Sequence, residues 1–236
     1  MSMMIPTCLL CGSRWIETVD GICSRCLAAL HEMLYDTTAH ARCGACCRQL
    51  LHQDQVCPCT SSQDAPFKQY VLGPYRGMLK HLILAYKFKP QRRLARYLAR
   101  LTLPVAGYLA GGAGKAVLVP VPCSKAGLRL RGWDQMAVLA DRMADGEAVV
   151  VHRLIKRQGR GQMKLLDRVR RKEVAREAYS LDERACRAYE RDQIFGQSPL
   201  IILDDVKTSG STLKACAGLL SERYCVPVAA LCLAED

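Results

Sequence analysis

Residues 200 to 212 read LIILDDVKTSGST, and this stretch decides the fold. Leu200, Ile201, Ile202 and Leu203 are too few for a helix and too apolar for an exposed edge, so they predict a central strand buried on both faces. From Ser211 the pattern turns helical through Leu213, Ala217, Leu219 and Leu220. Two carboxylates and a run of small hydroxylated residues therefore stand at a strand's carboxyl end, just before a helix. In open α/β sheets that is where ligands bind. Working outward, the same alternation recurs. Helical periodicity covers 75–89, 91–103 and 133–143, and apolar strand patterns cover 116–122, 149–154, 199–205 and 226–233, with a helix at 211–223 joining the last two. Strands alternating with helices predict right-handed crossovers and a parallel sheet, an α/β fold.

The chemistry of the stretch follows from its residue types. Val206, Lys207, Thr208, Ser209, Gly210, Ser211 and Thr212 offer backbone N–H groups, four hydroxyls and a helix N-terminus, which together suit a phosphate monoester. Gly210 lets the backbone approach closely. Asp204 and Asp205 repel that phosphate, so they are expected to meet another part of the ligand. The vicinal hydroxyls of a ribose fit, because carboxylates accept hydrogen bonds from them. The expected ligand is a ribose 5-phosphate group.

Composition bounds the rest. The chain has 236 residues, half of them hydrophobic, enough for one full core and a small appendage. No apolar run is long enough to cross a bilayer, and the opening MSMMIPTCLLCG lacks the pattern of a signal peptide. A cytoplasmic location is expected, and there 14 cysteines point to metal ligands more than to disulfides. Nine of them lie between Cys8 and Cys59. Cys8-x2-Cys11 and Cys23-x2-Cys26, with Gly12 and Gly21 at the turns, predict two knuckles giving tetrahedral thiolate coordination of zinc. Four thiolates close the coordination sphere, so this zinc is structural. A second zinc on Cys43, Cys46, Cys57 and Cys59 is the weaker reading, because the Cys57-Pro58-Cys59 spacer is short; one zinc or two stays open. A polar break after Cys59 divides the chain into a Cys-rich zinc-binding module, 1–62, and an α/β domain, 63–236.

The α/β part is basic. Residues 65–133 contain no Asp or Glu but thirteen Lys or Arg, and a second basic stretch runs from Arg153 to Arg176. Such a field attracts phosphates, on a small ligand or along a nucleic acid. Lys87, Lys89, Arg92, Arg93 and Arg96 are the candidate nucleic-acid contacts. GGAGK at 111–115 is no P-loop, because it precedes its strand and lacks the Ser or Thr. His31, His40, His52, His81 and His152 show no pairing that marks a metal site or a catalytic dyad.

These motifs carry a resemblance. LIILDDVKTSGST resembles the phosphoribosyl-pyrophosphate signature of type I phosphoribosyltransferases. More narrowly, the cysteine knuckles, the Lys87-Phe88 pair in YRGMLKHLILAYKF and the segment PVPCSKAGLRLRGWDQ are similar to the ComF (GntX-like) family, which joins zinc knuckles to a phosphoribosyltransferase domain. Trp133 and Asp134 stand where that family usually has Phe and Asn. The resemblance implies a pyrophosphate loop at Val121, Pro122, Cys123, Ser124 and Lys125, a closing lid in the stretch from Arg153 to Arg176, and magnesium bound with phosphoribosyl pyrophosphate. It implies a role in handling single-stranded DNA during natural transformation, with other DNA-uptake proteins as partners. The alternative it leaves open is an active phosphoribosyltransferase with an unidentified acceptor. No residue stands out as a general base, so the catalytic residues remain unassigned.

Overall fold

The computed structural model describes residues 7–14, 18–35, 43, 50, 55–57, 67–89, 91–111, 115–158 and 178–236. Their centre is a five-stranded parallel sheet. β3 (Lys68–Val71), β9 (Val228–Glu235), β8 (Leu200–Lys207), β4 (Ala116–Pro120) and β5 (Val149–Val151) lie side by side in that order. The opening stretch thus supplies the middle strand, flanked by β9 on one side and β4 on the other. Leu200, Ile201, Ile202 and Leu203 are fully buried.

Strand alternation sorts the core into two layers. Ile201 and Leu203 face α2 (Gly77–Phe88), α3 (Leu94–Ala110) and α5 (Gln135–Met143), in a cluster with Leu79, Leu98 and Leu139. Leu200 and Ile202 face α6 (Glu183–Tyr189) and α7 (Ser211–Arg223), in a cluster with Tyr189, Leu213 and Leu220. The α7 bounds match the sequence expectation. α3 runs through Pro104 instead of stopping before it. Its inner face, with Leu98, Thr102, Val105 and Ala106 buried, outweighs the one backbone bond the proline removes.

Other boundaries moved for identifiable reasons. The apolar run at 149–154 splits: β5 ends at Val151, the Leu154 N–H bonds back to the His152 carbonyl at 3.0 Å, and the chain turns away. It then forms β6 (Ile155–Arg157), which pairs antiparallel with β7 (Tyr179–Leu181). α4 (Lys125–Arg131) has no buried residue, so no apolar period announced it. Ser124 starts it by accepting a hydrogen bond from the Gly127 N–H at 2.9 Å.

At the amino end, β1 (Thr18–Val19) and β2 (Ile22–Cys23) form a hairpin. Asp20 and Gly21 both take positive φ, 51° and 83°, which is the requirement of a two-residue turn of type I′. α1 (Ser24–His31) follows, and its Leu30 joins Cys8, Leu10 and Ile22 in the same hydrophobic cluster as α2 and α3. Arg100 of α3 reaches Asp20 at 3.3 Å, and His81 of α2 meets the Leu10 carbonyl at 3.1 Å. Among the described residues no helix is long and apolar enough to cross a membrane.

Candidate functional site

Because all five strands are parallel and β4 pairs with β8, the segments leaving their carboxyl ends lie side by side. After β8, Thr208, Ser209 and Gly210 bend into α7, and Gly210 takes φ 72° at its N-cap. No side chain caps α7, so neither Asp204 nor Asp205 spends its carboxylate there. The hydroxyls of Ser209 and Ser211 meet at 2.9 Å, and Thr212 touches Tyr179 of β7. The first turn of a thirteen-residue helix, ringed by hydroxyls, faces outward from the sheet's end. That arrangement presents partial positive charge and donors to an anion.

The two acids differ in their surroundings. Asp205 is buried, and its Oδ2 receives the Lys87 ammonium at 2.6 Å and the Gln135 side-chain amide at 3.1 Å. Lys87, a candidate nucleic-acid contact by sequence, closes the last turn of α2 onto the acid pair, because a buried carboxylate needs a cation and donors. Asp204 accepts the Asp205 backbone N–H at 2.9 Å. Burial, followed by the Asp205 charge, pushes its carboxyl up to about 7, against the pull of Lys87 and Arg157. Arg157 lies over the Tyr179 ring at 5.3 Å, so the β6–β7 pair carries a cation to the acid's side. Beneath them the buried Cys216 thiol is pushed up by burial and by Asp204.

Lys207 ends β8 away from this cradle. Its ammonium lies 3.6 Å from Glu235, and Glu235 also accepts the Tyr35 hydroxyl at 3.1 Å. The hydroxyl-lined turn into α7 is therefore made by Thr208 to Thr212, with Val206 packed against the core and Lys207 beside Glu235.

The segment after β4 runs from Val121 to Ser124 and enters α4 at Lys125. Val121 is buried, and its N–H bonds the Leu203 carbonyl at 2.9 Å. Asp134 fastens the loop. One oxygen accepts the Cys123 N–H at 2.9 Å, while the other caps α5 through Met136 and Ala137 at 3.0 and 3.1 Å. An Asn side chain has one acceptor oxygen where Asp134 uses two, so the acid is suited to both tasks at once. Burial, then Asp134, raises the Cys123 thiol, and Arg131 opposes that. The sequence names Asp134 only as a departure from the family pattern and Arg157 only within the basic stretch, and it assigns no role to Gln135 or Tyr179. Their roles depend on contacts between distant segments, and the Gln135–Asp205 bond alone spans 70 positions.

Of the other sequence-predicted cations, Lys89, Arg92, Arg93 and Arg96 are all exposed, and Arg92 also stacks over the buried Trp133 ring at 5.6 Å. His152 does have a partner: its Nε2 lies 3.1 Å from Asp192, at the end of β5. Of the basic stretch expected to form a lid, 159–177 lie outside the described residues.

The cysteine group is assembled. The sulfurs of Cys8, Cys11, Cys23 and Cys26 all lie within 4.8 Å of one another. Cys11 and Cys23 are 3.8 Å apart, and the Cys23 N–H points at the Cys8 sulfur at 3.4 Å. Four thiolates about 2.3 Å from a tetrahedral zinc stand about 3.8 Å from each other, so the group fits the ion. Gly12 turns the first knuckle with φ 74°, its N–H bonding the Cys8 carbonyl at 2.9 Å. In the second set Cys43 and Cys57 are buried, and Cys46 and Cys59 lie outside the described residues.

No protein-family model matches the chain. Its sequence is 26% identical over 224 residues to Competence protein F of Haemophilus influenzae, covering 90% of each protein. The chain is thus a relative of Competence protein F along nearly all of its length, with a four-cysteine group at its amino end that fits a zinc knuckle.

Proposed function

We propose that the protein binds phosphoribosyl pyrophosphate at the carboxyl end of β8 and acts in handling single-stranded DNA during natural transformation. The observation that carries the ligand is the acid pair set beside the uncapped start of α7. Backbone N–H groups and the hydroxyls of Thr208 to Thr212 hold the 5-phosphate, while Asp204 and Asp205 accept the ribose hydroxyls. The loop from Val121 to Lys125 lies on the pyrophosphate side, and magnesium arrives with that group. The transformation role rests on the similarity to Competence protein F and on the basic surface, with Lys89, Arg93 and Arg96 exposed on it. Partners among DNA-uptake proteins belong to the same proposal.

Titration calorimetry with phosphoribosyl pyrophosphate and magnesium tests the site. Binding by the wild-type protein, weakened tenfold or more per acid in Asp204→Asn and Asp205→Asn, supports it. Equal affinity in all three proteins moves the ligand elsewhere.

Arg157 favours a second reading, an active phosphoribosyltransferase. A cation beside the acid pair stabilises charge as the bond from the anomeric carbon to pyrophosphate breaks and an acceptor's lone pair forms the new one. Release of pyrophosphate only when an acceptor is present, and its loss in Arg157→Gln, would distinguish turnover from binding alone.

A further inference from the structure

Beside the acid pair lies a pocket of about 280 Å³, walled by Phe88, Leu130 and Trp133 and rimmed by cations. Lys87 is common to both: it lines the pocket and neutralises Asp205. The remaining cations, Lys89, Arg92 and Arg131, have no carboxylate among the pocket's lining. Arg131 supplies the most specific observation. Its Nε is buried and has no hydrogen-bond partner, a donor awaiting an acceptor. Gly127 makes room for that guanidinium, since a Cβ there would stand 2.6 Å from an Arg131 nitrogen. The pocket's apolar walls are as telling. Phe88 is 57% exposed and Leu130 76% exposed, next to each other and to three cations.

We propose that this pocket binds one nucleotide, its base against Phe88 and Leu130 and its phosphate on Lys89, Arg92 and Arg131. An aromatic face left in water beside cations suits a planar anion: stacking covers the ring, and the phosphate supplies the acceptor that the Arg131 Nε lacks. The volume sits just below the usual range of ligand pockets, which starts at about 300 Å³, so it takes a single unit and not a strand's length. Arg92 is held ready by its stack on Trp133, which spares part of the entropy of ordering it. The inference extends beyond the ribose-phosphate reading and does not depend on it.

The test uses calorimetry on the full chain with dAMP, ribose 5-phosphate and inorganic phosphate. dAMP should bind at least tenfold tighter than ribose 5-phosphate to the wild-type protein in this pocket, because only it carries a base. Phe88→Ala and Arg131→Gln should each weaken dAMP about tenfold, with unchanged melting temperature in Phe88→Ala, whose ring is exposed. Asp204→Asn should leave dAMP unaffected. Should dAMP bind equally well to both pocket variants, or weaken only in Asp204→Asn, the pocket assignment is overturned; the latter result places the nucleotide in the ribose-phosphate site. If phosphoribosyl pyrophosphate fails to bind while dAMP still depends on Phe88 and Arg131, the earlier reading falls and the pocket stands. Competition by a 5′-phosphorylated single strand separates the two sources of such a nucleotide. Displacement of dAMP names a strand end, its absence names the free nucleotide, and both support the pocket only alongside the variant losses.

Discussion

Asp204 holds its proton to about 7 because burial and the neighbouring Asp205 carboxylate both disfavour its charge. In the unfolded chain it releases that proton near 3.8. Between those values the folded protein carries more protons than the unfolded one, so this residue's contribution to stability is full below about pH 4 and is lost as pH rises through about 7. Asp204→Asn should therefore flatten the decline in melting temperature between pH 5 and pH 8, as thermal melts at both values would show. A decline of equal size in the variant would place the titration elsewhere. The same proton governs the ligand: a ribose hydroxyl donates best to a carboxylate, so phosphoribosyl pyrophosphate should bind more weakly at pH 6 than at pH 8. Lys87 belongs to this scale too. Its replacement by Ala leaves a buried carboxylate without its cation and should destabilise the protein by about 1–3 kcal/mol in urea unfolding. Replacing the exposed Arg93 or Arg96 should leave stability within about 0.5 kcal/mol.

At the scale of elements, β8 and α7 were legible because each has a strong local signal. Four consecutive aliphatic residues can only be buried, and Gly210 marks the helix start with a positive φ that other residues resist. A Cβ at Gly210 would meet nothing within 4 Å, so Gly210→Ala should cost about 1 kcal/mol through backbone strain alone, and Gly210→Asn less. Equal stabilities for Gly, Ala and Asn at this position would contradict the left-handed backbone. α4 was not legible. It lies on the surface with nothing buried, so its residues show no period, and its start depends on the Ser124 cap. The break between β5 and β6 was hidden for the opposite reason. The run from Val149 to Leu154 is apolar enough for one strand, but the turn at His152 and the pairing with β7 divide it. The pairing of Lys87 with Asp205 was not legible, because a cation in an acid-free stretch has no visible partner until the fold brings Asp205 to it.

Across the whole molecule, the cysteine knuckles and the sheet share one hydrophobic cluster. Cys8, Ile22, Cys26 and Leu30 pack in the same layer as Leu79, Leu82 and Leu98. Metal removal should therefore be felt beyond the knuckles. Chelation is expected to release one zinc per chain from Cys8, Cys11, Cys23 and Cys26 and to lower the melting temperature of the main transition. Loss of metal with an unchanged main transition would separate the two parts energetically. The basic surface makes a second whole-molecule prediction. Binding to single-stranded DNA should fall with salt, with a log–log slope of roughly −0.7 per phosphate neutralised, and charge reversal at Arg93 and Arg96 should lessen it. A flat plot would mean that these residues form only a solvated face.

A crystal structure of the protein soaked with ribose 5-phosphate would show whether the end of β8 and the start of α7 cradle that group. The phosphate is expected at the backbone N–H groups of Thr208 to Thr212, with the sugar hydroxyls on Asp204 and Asp205. Phosphate density on Lys89, Arg92 and Arg131, with the α7 start bare, would contradict it.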